Sequence, residues 1–81
     1  MSKYEPLRAR LLGLDQSVWP ASFEEVEDVL GFDLPPSARS HRAWWANEEK
    51  GRHVQAKAWL KAGWRTADVS MAAETVLFER T

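Results

Sequence analysis

Residues Leu34 to Trp64 read LPPSARSHRAWWAN (34–47), EEKGRH (48–53) and VQAKAWLKAGW (54–64), and they hold Trp44, Trp45, Trp59 and Trp64 of the five tryptophans, with both histidines. Pro35 and Pro36 bar any preceding helix from continuing, yet proline suits a first helical turn, where its missing N–H costs nothing. A helix is therefore expected to start at Pro35 to Ser37 and to run to Trp45 or Ala46. Within it Ala38, His41, Trp44 and Trp45 recur at three- and four-residue intervals as an inner face, with His41 partly buried beside Trp45, while Arg39, Ser40 and Arg42 point outward. Asn47 tolerates a left-handed helix end, and Glu48 to Arg52 reads as a solvated loop around Gly51. A further helix is expected from about His53 to Ala62, with Val54, Ala56, Trp59 and Leu60 as apolar positions, Lys57 and Lys61 as a basic pair and Gly63 as its stop.

Working outward, Tyr4, Leu7, Leu11 and Leu14 lie on one helical stripe, with Pro6 in the first turn and Gly13 near the end. Between Asp15 and Ser22, Val18 and Trp19 give β character that Pro20 limits to an edge or a very short strand. Ser22 and Glu25 form a capping box, Phe23, Val26, Val29 and Leu30 form the buried stripe that follows, and Gly31 stands at the C′ position. After Gly63, Trp64 to Met71 contains a strand, Ser70 to Glu74 a turn, and Thr75 to Arg80 a final strand rich in β-formers. The order is helix, short strand, three helices, β-hairpin. It implies one domain over residues 1–81, α+β and mainly helical, with a winged-helix-like architecture.

Charge is distributed unevenly along this order. Residues 36–65 carry Arg39, Arg42, Lys50, Arg52, Lys57, Lys61 and Arg65 against Glu48 and Glu49, a net +5, whereas residues 1–35 come to −4 and residues 66–81 to −2. Such asymmetry points to a polyanionic or acidic partner. With no cysteine there is no disulfide framework, thiolate metal site or thiol nucleophile, and no apolar run is long enough to span a membrane. The apolar tract near the N-terminus is interrupted by Arg8 and Arg10, unlike a signal peptide, so a cytoplasmic protein is expected. His41 and His53 have no co-ligands at zinc spacing, Ser37, Ser40 and Ser70 lack an evident base, and Glu24, Glu25, Glu27 and Asp28 scatter around a solvated helical arc. A non-enzyme without metal or cofactor follows from these residues.

The run FEEVEDVLGFDLPPSARSHRAWWAN, with QAKAWLKAGW and the closing VLFER, resembles a family of small bacterial domains of unknown function that share Leu-Pro, Ser-Ala, His, Trp-Trp, Asn and Ala-Gly-Trp. The resemblance covers Tyr4 to Arg80 and implies a complete domain of that kind, with no activity attached. Two functions compete. In the first, the domain binds nucleic acid, duplex DNA in particular, through Ser37, Arg39, Ser40 and Arg42, with Lys57 and Lys61 on the next helix and Lys50 and Arg52 on phosphates. In the second, it is a protein-interaction or antitoxin-like adaptor whose basic face docks an acidic partner. Trp45, Trp59 and Trp64 are expected in the core, since each tryptophan buries roughly 150–250 Å². Trp44 stands between core and surface, where it becomes a stacking platform or interface contact.

Overall fold

A computed structural model describes residues 2–51 and 53–81. Among them, the chain forms α1 (Glu5–Leu12), β1 (Val18–Ser22), α2 (Phe23–Leu30), α3 (Pro36–Ser40), a 3-10 turn (Arg42–Trp45), α4 (Val54–Lys61), β2 (Trp64–Ser70) and β3 (Thr75–Arg80). This is an α+β fold in which the three strands make one antiparallel sheet of order β1-β3-β2. β1 thus joins the C-terminal hairpin instead of standing apart from it, with Trp19 opposite Phe78 and Pro20 opposite Leu77. As an edge strand β1 accommodates Pro20, whose missing donor would break a ladder in a central position.

Local chemistry sets the element ends. The Ser22 hydroxyl accepts from the Glu25 N–H at 2.9 Å and the Glu25 carboxylate accepts from the Ser22 N–H at 3.0 Å, the reciprocal pair of a capping box. Gly31 then closes α2 at φ +83°, in the left-handed region that glycine adopts without steric cost. The hairpin turns through Glu74 at φ +56°, the non-glycine positive φ among the described residues, so Asn47 does not take the left-handed conformation expected of it.

The expected long third helix is corrected. It stops at Ser40, His41 is extended at φ −129° and ψ 112°, and a 3-10 turn carries the two tryptophans. In a continuous helix the Ala38 carbonyl would receive the Arg42 N–H, four residues on. Here the Trp45 indole N–H takes that carbonyl at 2.8 Å, while the ring stacks on Phe23 at 4.7 Å between centroids. Breaking the helix lets Trp45 enter the core and turns His41 out into solvent, contrary to the partly buried position expected for it.

The core is a chain of aromatic rings between helices and sheet. Trp19 stacks on Phe78 (5.6 Å), Phe78 meets Trp59 edge-on (5.7 Å), and Trp59 stacks on Trp45 (6.2 Å). Trp45, Trp59 and Trp64 are fully buried, as their spacing implied, with Leu7, Leu11, Phe23, Val26, Val76 and Phe78 around them. Trp44 is half-buried and meets Tyr4 and Trp45 edge-on at 6.0 and 4.7 Å, which makes it a flank of the core. Against these rings α1 packs between α2 and α4, and α4 also packs on β2.

Candidate nucleic-acid interface

The residues grouped by sequence into one basic face fall into two groups. α3 and the 3-10 turn are tied to α2 and the hairpin through the side chains of Arg39 and Arg42, whereas the lysines of α4 make no such tie among the described residues. The two groups therefore differ in what their charges meet.

On the first, Arg39 does not extend freely into solvent as expected. Its Nη2 donates to Glu27 at 3.0 Å and its Nη1 to Glu74 at 2.6 Å, joining α3 to α2 and to the hairpin turn. Glu27 also accepts the Leu34 N–H at 2.7 Å, and this backbone donor first, then the Arg39 guanidinium, holds its carboxyl below the ordinary value. The same two carboxylates raise Arg39 further above its already high value, Glu74 contributing most. Arg42 is exposed but donates through Nη1 to the Val69 carbonyl, and Ser40 donates its hydroxyl to the Pro36 carbonyl at 3.0 Å. Ser37 is half-buried on α3. This surface is a set of internal ties.

The second surface is built by α4, whose inner arc is filled by Ala56, Ala58 and Trp59. The outer arc carries Val54, Lys57 and Lys61, three and four residues apart and hence on one stripe. Lys57 and Lys61, with Glu49 and Leu60, line a cleft of ≈ 280 Å³. An adjoining depression reaches past Glu49 and Leu60 to Lys50 and Arg65. Arg65 is paired with Glu79 at 2.5 Å across the β2–β3 ladder, whereas no ion pair to Lys50, Lys57 or Lys61 occurs among the described residues. Arg52, assigned to phosphate contact from the sequence, lies outside the described residues.

Two residues beside this surface were missed or misread from sequence. Asn47 accepts from the Trp59 indole (2.9 Å) and the Thr66 N–H (2.9 Å) and donates to the Thr66 carbonyl (2.8 Å), so its carboxamide stands in for a neighbouring strand along the free edge of β2. It fixes α4 against β2 and so sets the angle at which the lysines are presented. Val54, expected among the apolar positions of α4, is 46% exposed. Its place three residues before Lys57 and seven before Lys61, at the border of the buried arc, was the available signal. Among the described residues no cluster of histidine and carboxylate side chains has metal-binding geometry, and no helix is long and apolar enough to cross a membrane.

No curated protein and no solved structure matches the chain. The signature of a domain of unknown function, DUF7662, matches residues 4–81, from Tyr4 before α1 through β3, and the chain belongs to that family.

Proposed function

We propose that this domain is a winged-helix-like nucleic-acid-binding module that meets duplex DNA with α4, and that it works in the cytoplasm. The observation that carries this reading is the lysine stripe of α4, which makes no ion pair among the described residues, on the helix directly before a hairpin in a β1-β3-β2 sheet. That order of elements is the one in which the helix before the hairpin enters the major groove and the hairpin lies against the backbone. Lys57 and Lys61 supply the charge on the helix, and Lys50 reaches phosphate from the preceding loop.

The reading is narrower than the sequence suggested. Arg39 leaves the contact set because any phosphate must compete with two carboxylates already bound, and Arg42 with Ser40 serves the backbone of its own chain. The adaptor alternative rested on the basic face together with an exposed tryptophan, and of these Trp44 is half-buried against Tyr4, Trp45 and Trp59.

Binding to a duplex measured across a salt series is the test. With two or three lysines on phosphates, log affinity against log salt should fall with a slope of about −2 to −3, at ~0.9 per contact. Lys57→Glu and Lys61→Glu should each weaken binding without moving the melting temperature. Absence of affinity at about 50 mM salt, where phosphate contacts are strongest, rejects the reading. Saturable capture of an acidic protein instead, lost in the same two variants, supports the adaptor.

A further inference from the structure

Val54 opens α4 with 46% of its surface exposed, while Gln55, Ala56, Ala58 and Trp59 of the same helix are buried. Its side chain therefore adds little to the core, yet it heads the stripe that continues through Lys57 and Lys61. Leu12 and Val18 are exposed to a similar degree, but Leu12 ends α1 and Val18 lies opposite Glu79 in the sheet, so neither is part of that stripe. An apolar tip followed by an ammonium one turn later is a two-part chemical pattern. In the major groove the 5-methyl of a pyrimidine is the apolar group displayed, and the O6 and N7 of guanine are the acceptors that suit a lysine. Recognition helices place their N-terminal residues against base edges, which is where Val54 and then Lys57 stand.

We infer that Val54 is a specificity-determining contact for a pyrimidine 5-methyl group, with Lys57 beside it on a purine acceptor edge and Lys61 left for phosphate. The inference rests on the nucleic-acid reading above and deepens it to a sequence preference. Thymine and 5-methylcytosine both present this group, and the test separates them.

Duplexes enriched by the parent protein from a random pool are resynthesised with uracil for thymine at each position, and separately with 5-methylcytosine for cytosine. Removing the one methyl that Val54 covers should lower affinity about 4-fold, the equivalent of roughly 0.8 kcal/mol for a buried methylene-sized group. Discrimination by uracil alone assigns thymine, and a gain on cytosine methylation at one position assigns 5-methylcytosine. Val54→Ser should bind thymine and uracil duplexes equally, and Val54→Thr, which keeps one methyl, should restore part of the difference. Because the thymine-to-uracil change alters only the DNA, a poorly folded variant cannot obscure the result. Indifference of the parent to both methyl changes at every position, enrichment of no sequence at all, or unchanged discrimination in Val54→Ser overturns the inference while leaving duplex binding intact. Absence of duplex binding removes both.

Discussion

At Asn47 a single carboxamide receives the Trp59 indole and the Thr66 N–H and returns a bond to the Thr66 carbonyl, tying the loop before α4 to both α4 and β2. Asn47→Ala leaves these groups without a protein partner, and where such groups are partly shielded the cost is about 1–3 kcal/mol. Chemical denaturation should show a loss of that size, and a midpoint equal to the parent's contradicts the assignment. Trp45 and Trp59 have larger roles because each fills volume in the aromatic chain as well as donating an indole hydrogen bond. Alanine at either should destabilise by roughly 3–5 kcal/mol, the range for large aromatic truncations, and in a domain this small that approaches the whole margin of stability. Retention of a cooperative thermal transition within a few degrees of the parent in both variants argues against core roles for them.

Among the elements, α2 is the one whose stability is written locally. Its capping box, its three buried apolar residues and the left-handed Gly31 are all within ten residues, so Ser22→Ala should cost about 1 kcal/mol by loss of the N-cap acceptor. α3 is the opposite case. Five residues cannot sustain a helix alone, and this one is held by Arg39 on Glu27 and Glu74 and by the indole of Trp45 on Ala38. Shortening it let the tryptophans turn inward, which no propensity of the residues 36–45 would have required.

Across the whole molecule, Glu27 couples α2, the Leu34 turn, α3 and, through Arg39, the hairpin. Its carboxyl is held below the ordinary value of 4.5, so the folded state binds its proton less readily than the unfolded chain does. The resulting stabilisation is fully present above that ordinary value and is lost as pH falls through the lowered one. Glu27→Gln should therefore lower stability at neutral pH and flatten its decline on acidification, measured by melting temperature between about pH 3 and 7, a window spanning the usual carboxylate range. An unchanged acid profile means that the cluster is too solvated to matter. The charge asymmetry acts at the same scale: Glu24 and Asp28 lie exposed on α2, whereas the lysines are carried by α4. Glu24→Gln should leave duplex affinity nearly unchanged, whereas Lys57→Glu should reduce it.

Much of this fold was legible because its signals are local. The order of elements, the capping box at Ser22, the stop at Gly31, the strands from Trp64 and Thr75 and the burial of Trp45, Trp59 and Trp64 follow from spacing and turn chemistry within windows of a few residues. What the tertiary structure alone decided involves partners far apart in the chain. Arg39 meets Glu74 across 35 residues, Arg42 meets Val69 across 27, and Asn47 meets Thr66 across 19. Periodicity tells which side of a helix a residue occupies, but a long polar side chain takes the nearest acceptor the folded chain brings to it. The sequence by itself therefore determined α1, α2, α4, the strands and the core tryptophans, but not where α3 ends. Only the packed structure divided the basic segment, binding Arg39 and Arg42 within the molecule and leaving the α4 stripe of Val54, Lys57 and Lys61 turned to solvent.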